Sequence, residues 1–136
     1  MQKNLPTILV VEDEKSLLKA WVEAFRREGL NVLAANDADS ALNLVLKFRP
    51  DLLLVDLVLS NADGFTLIKK IRENKHVEST PVMFLSGWIG SELEDHEEID
   101  PPQENYYMDN HWSFEQVISD VRNKLKLSSF SPTANN

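Results

Sequence analysis

Short unbroken apolar runs alternate along this chain with longer stretches in which apolar positions recur every three or four residues, and the two patterns predict strands and helices in turn. Residues 8–11 are such a run, ILVV, stopped by Glu12, Asp13 and Glu14. The run is too short for a helix and β-branched enough for a strand buried on both faces. From Ser16 onward, Leu17, Leu18, Trp21, Val22 and Phe25 recur at helical spacing with charges between them, and Gly29 closes the segment as a C-cap. Residues 31–35 read as a short second strand. Asp37 or Asp39 then caps a second helix that carries Ala41, Leu42, Val45 and Leu46 and stops at Arg49-Pro50. Residues 52–55 are an apolar run ending at Asp56. Leu67, Ile68 and Ile71 mark a third helix, and residues 82–85 give a fourth buried strand ending at Ser86.

The pattern changes at residues 91–100, where six carboxylates and few apolar anchors precede Pro101-Pro102, so this stretch is read as a short helix or an acidic loop. Tyr106, Tyr107 and Met108 form a fifth strand. Phe114, Val117, Ile118, Val121 and Leu125 set out the apolar face of a last helix starting near Ser113. Strands alternating with helices imply an α/β fold: right-handed crossovers and a parallel sheet covered on both faces.

Composition narrows what such a domain does. The 136 residues, 43% of them hydrophobic, support one core and no second domain. A net charge of −8, from 22 acidic against 14 basic residues, argues against direct binding of nucleic acid, which needs clustered Lys and Arg. With no Cys, disulfides, thiol catalysis and thiolate metal sites are excluded. Residues 1–6 lack the apolar core of a signal peptide, and no run approaches the roughly 20 apolar residues that span a bilayer. A cytoplasmic protein without membrane contact is expected.

The chemistry is expected at the carboxyl ends of the strands, where an open parallel sheet leaves a crevice between diverging crossovers. Strand one delivers Glu12 and Asp13 there, strand three Asp56 and strand four Ser86. One acidic residue after a buried strand ordinarily starts a loop or caps a helix. Several gathered in one crevice repel, and need raised pKa values or a cation. An all-oxygen donor set without His or Cys suits Mg²⁺. Asp56, flanked by apolar residues, is the strongest candidate for a functional side chain.

These residues resemble the receiver domains of two-component response regulators. The stretch ILVVEDE at 8–14 is similar to the receiver's first strand and acidic pair, and DLLLVD at 51–56 to its phospho-acceptor strand. LVLSNADG at 57–64 has the receiver's spacing from acceptor to Asp-Gly, with Ser60 where Pro is usual, and PVMFLSG at 81–87 matches the fourth strand with its hydroxyl residue. The resemblance covers residues 7–127, which leaves a 1–6 N-terminal extension and a polar, disordered tail at 128–136. It implies a flavodoxin-like (βα)5 three-layer sandwich with a five-stranded parallel sheet of order 2-1-3-4-5.

The resemblance also implies roles. Asp56 accepts a phosphoryl group from a histidine kinase or histidine phosphotransfer protein, without being an enzyme's turnover nucleophile. Asp13 and Asp56 bind Mg²⁺ directly, the main-chain carbonyl of Val58 adds a ligand, and Glu12 acts through water. Ser86 hydrogen-bonds the phosphoryl group, and Tyr107 is the aromatic switch that follows it. The output surface is the fourth helix, fifth strand and fifth helix, read by a downstream protein or by an output domain outside this chain. A monomer or weak dimer is expected.

Three departures keep a second reading open. The Lys-Pro pair usual after the fifth strand falls on Asn110-His111, and no lysine lies between Lys75 and Lys124. A cation about 4 Å from a phosphoryl oxygen is worth about 4 kcal/mol at an effective dielectric of about 20, so its loss bears on both transfer and switching. His111 is more readily a surface residue than a replacement charge. The acidic stretch at 91–102 departs from the usual fourth helix. Trp88 either covers core or gates access to Asp56. The alternative is a degenerate receiver that serves as a phosphorylation-independent interaction module. A magnesium-dependent phosphohydrolase ranks third, because the position two residues after Asp56, where such enzymes carry an acid, is Val58.

Overall fold

The computed structural model describes residues 5–56, 64–77, 79–85, 106–109 and 114–125, with backbone alone at Asp56, Phe65, 106–109 and Phe114. Five strands and four helices alternate over these residues: β1 (Thr7–Val11), α1 (Lys15–Arg27), β2 (Asn31–Ala35), α2 (Ala38–Phe48), β3 (Leu52–Asp56), α3 (Gly64–Arg72), β4 (Val82–Leu85), β5 (Tyr106–Asp109) and α4 (Phe114–Leu125). The strands form one parallel sheet in the order β2-β1-β3-β4-β5. The expected flavodoxin-like α/β fold with a parallel sheet is borne out.

Alternation of side chains along each strand divides the interior into two cores. Leu9, Val11, Leu53, Val55, Val82 and Phe84 face α2 and α3, where they meet Ala41, Val45, Leu67, Ile68 and Ile71. Ile8, Val10, Leu52, Leu54 and Met83 face α1 and α4, against Trp21, Phe25, Val117 and Val121. Both faces of the central strands are thus covered, which is why they read as unbroken apolar runs and not as alternating ones. Leu52, Leu53, Leu54 and Val55 are all fully buried. Each contributes about 1.5–3 kcal/mol relative to remaining exposed.

The helix ends follow from local chemistry. α1 begins at Lys15, one residue before the expected Ser16, because the Glu14 carboxylate accepts the Leu17 N–H at 2.7 Å and so caps the first turn. At its other end Gly29, at φ 88°, reverses the chain so that its N–H reaches Arg26 O and the Leu30 N–H reaches Phe25 O. That positive φ is what glycine permits without a steric cost. Of the two candidate caps for α2, the structure selects Asp37, whose carboxylate accepts the Ser40 N–H at 2.7 Å. α2 ends on Arg49, a non-glycine residue in the left-handed region, with its N–H on Val45 O.

Arg122 of α4 reaches Glu28 at the end of α1, donating to its carboxylate at 2.6 Å. This ion pair spans 94 residues of sequence and fastens the two helices on that face of the sheet. The expected acidic stretch at 91–102 and the tail at 128–136 lie outside the described residues, as do residues 1–4 of the expected N-terminal extension. No described helix is long and apolar enough to cross a membrane.

Candidate functional site at the carboxyl ends of the strands

Every strand of a parallel sheet ends on the same side, and the register fixes which residues meet there. Val11 pairs with Val55, Val55 with Phe84, Asp56 with Leu85, and Leu85 with Asp109. Asp56 therefore occupies the last rung of β3, one step beyond the rung shared by Val11 and Val55. Glu12 takes the matching step beyond β1, and its N–H donates to Ala35 O at 3.0 Å, which carries the β1–β2 ladder one residue past the strand. Backbone at this step is held, and neighbouring strands there lie about 4.8 Å apart. Glu12 and the backbone of Asp56 consequently stand at the ends of neighbouring strands.

The three consecutive acids after β1 have different environments. Glu12 is 3% exposed, and one of its carboxylate oxygens accepts the Glu14 N–H at 3.2 Å. Asp13 is half-buried at the rim. Glu14 is exposed and is committed to capping α1. Taking a carboxylate as far from water as Glu12 costs several kcal/mol unless donors or a cation answer it. The capping role of Glu14 had no sequence signal, since Glu is not among the residues favoured at N-caps.

Tyr107 lies on β5 at the rung of Met83, two strands from β3. Val58, Ser86, Trp88, Asn110 and His111 lie outside the described residues. The described part of the site is thus a rim of carboxylates on β1 beside the terminal rung of β3, with oxygen donors throughout. Among the described residues no group of three or more His, Cys, Asp or Glu side chains comes together, and the donors present are of the oxygen type that suits a hard cation.

The sequence profile described as the response regulator receiver domain matches residues 8–98. Among curated proteins, a probable transcriptional regulator, ycf29, of Pyropia yezoensis is 34% identical over 79 residues, covering 58% of this chain and 36% of its own length. The DNA-binding dual master transcriptional regulator RpaA of Synechocystis is 25% identical over 130 residues, covering 96% of this chain and 53% of its own length. This chain therefore spans about a third to a half of the length of these relatives. Among solved structures, the receiver domain of the Francisella response regulator 1452 aligns with a TM-score of 0.71 at 26% identity, covering 89% of this chain and 97% of that one.

Proposed function

Because the chain belongs to the response regulator receiver domain family, we propose that it accepts a phosphoryl group on Asp56 in two-component signal transduction. The donor is a phosphohistidine on a histidine kinase or a histidine phosphotransfer protein. A carboxylate oxygen of Asp56 attacks the phosphorus in line, the P–O bond forms as the P–N bond breaks, and the departing imidazole nitrogen keeps the electron pair and takes up a proton. The product is an aspartyl phosphate.

The observation that supports this reading best is the carboxylate rim: buried Glu12 and half-buried Asp13 stand at the end of β1, beside the terminal rung of β3 that carries Asp56. Their all-oxygen chemistry fits Mg²⁺. Asp13 and Asp56 would hold the ion directly, with the Val58 carbonyl, and Glu12 through water. When bound, Mg²⁺ neutralises charge on the phosphoryl oxygens. The protein's own share is to hold the Asp56 backbone at the end of a strand whose preceding residues are fully buried. Ser86 would hydrogen-bond the phosphoryl group and draw Tyr107 with it, biasing a two-state surface that a downstream protein or a linked output domain reads in the cytoplasm.

Asn110-His111, where receivers usually carry Lys-Pro, favours a second reading: a receiver fold that binds its partner without phosphorylation. Asn110 can donate a hydrogen bond but supplies no charge. Intact-mass measurement after incubation with acetyl phosphate and Mg²⁺ separates the two. The first reading expects one added phosphoryl mass in the wild type and none in Asp56→Asn. An unmodified wild type would leave the interaction module.

A further inference from the structure

β2 closes one end of the sheet, and its far side pairs with no other strand among the described residues. Asn31 donates to Pro6 O, and Ala35 accepts from Glu12 N–H, so residues 31, 33 and 35 turn their backbone groups toward β1. Parallel pairing uses alternate residues. The N–H and C=O groups of Val32 and Ala34 therefore point to the open side.

Exposed edges are ordinarily blunted by Lys, Pro, an inward charge or a bulge. The sequence of β2, NVLAA, has none of these. Its apolar character continues onto α2, where Phe48 is 49% exposed. Val32, Leu33, Arg26 and Phe48 line an open depression of about 460 Å³ beside the strand.

The two ends of this edge carry opposite charge. At the start of β2 stand exposed Arg26, Arg27, Lys47 and Arg49, where α1 and α2 finish. At the finish of β2 stand exposed Glu14 and Asp39 with half-buried Asp13 and Asp37. A second copy turned about a two-fold axis perpendicular to the strand sets each basic end against an acidic one. A parallel approach would set like against like.

We propose that the β2 edge is a self-association surface, on which two copies pair their β2 strands antiparallel about a two-fold axis through Leu33. Val32 of each copy then lies opposite Ala34 of the other, and each such pair exchanges two N–H···O bonds. The contact is isologous and closes at two copies. Leu33 meets its own counterpart on the axis in a non-hydrogen-bonded pair, with Cα atoms about 4.5 Å apart. The exposed flank of Phe48 lies beside the joined strands. The open side of β2 faces away from β3, with β1 between them, and the pairing does not depend on phosphorylation.

The chain has no cysteine, so one introduced thiol reports the geometry without background. A spacing of about 4.5 Å falls within the range a disulfide tolerates. Under mild oxidation Leu33→Cys is expected to give a covalent dimer, whereas Leu46→Cys, exposed on the α3 side of α2, gives none. Sedimentation of the unmodified chain is expected to show a concentration-dependent dimer that weakens with added salt. Ala34→Pro, at an exposed position, removes one donor per copy and should weaken that dimer about tenfold or more. Its circular dichroism, matched to wild type, establishes that the fold is kept. If Ala34→Pro instead perturbs the fold, Ala34→Lys is the replacement blocker. A wild type that stays monomeric at millimolar concentration, a dimer indifferent to the blocker, or equal crosslinking at Leu33→Cys and Leu46→Cys would overturn the proposal.

Discussion

Arg49 holds a backbone conformation that its side chain does not favour. At φ 50° and ψ 65° its Cβ crowds the following carbonyl, a cost of about 1–2 kcal/mol that glycine escapes. Glycine gives part of this back through the greater freedom of its unfolded chain. Arg49→Gly is therefore expected to stabilise the protein by about 0.5–1 kcal/mol in urea denaturation, with the m-value unchanged. The side chain is exposed, so its removal empties no core, and the capping N–H to Val45 O is a backbone bond that is kept.

At the scale of elements, α1 and α4 touch through the second core and through the Arg122–Glu28 pair, whose side chains are 18% and 30% exposed. A pair this far from bulk water keeps more of its Coulomb energy than a surface pair. Arg122→Met should cost about 1 kcal/mol at low salt, and the difference from wild type should shrink as salt rises, both read from thermal or chemical unfolding. The elements themselves were legible because buried parallel strands are written as unbroken apolar runs: residues 31–35 and 82–85 match β2 and β4 end for end. Helix starts were less so. Asp37 and Asp39 both satisfy the preference for an acid at a cap, and only the chain geometry shows which carboxylate reaches the Ser40 N–H. Glu14 was missed because its longer side chain is a poor cap in general and a good one here. At the site, the β1 and β3 residues were legible from the ends of apolar runs. Roles that depend on loop geometry, those of Val58 and Ser86, have no such periodic mark.

For the whole molecule, the excess of acid is not spread evenly, since Glu12, Asp13 and Asp56 belong to the same end of the sheet. If these carboxylates face a common cation site, repulsion among them is an internal load on the folded state when Mg²⁺ is absent. Mg²⁺ should then raise the melting temperature, by about 2.7 kcal/mol of stability at a hundredfold excess over its dissociation constant. Asp56→Asn should do two things together: stabilise the Mg²⁺-free protein by about 1 kcal/mol and abolish most of the response to Mg²⁺. A mutant that responds to Mg²⁺ as strongly as wild type would place the cation elsewhere.

β3 has strands on both sides and helices on both faces, whereas β2 has an open edge. In deuterated water the amides of residues 53–55 should be among the last to lose their protons, exchanging only when the whole fold opens, while those of Val32 and Ala34 exchange early at concentrations where the chain is monomeric. Asp56 is thus mounted on the part of the molecule that local fluctuation reaches least. If a phosphoryl group is accepted there as proposed, its arrival and departure require no opening of the frame that positions it.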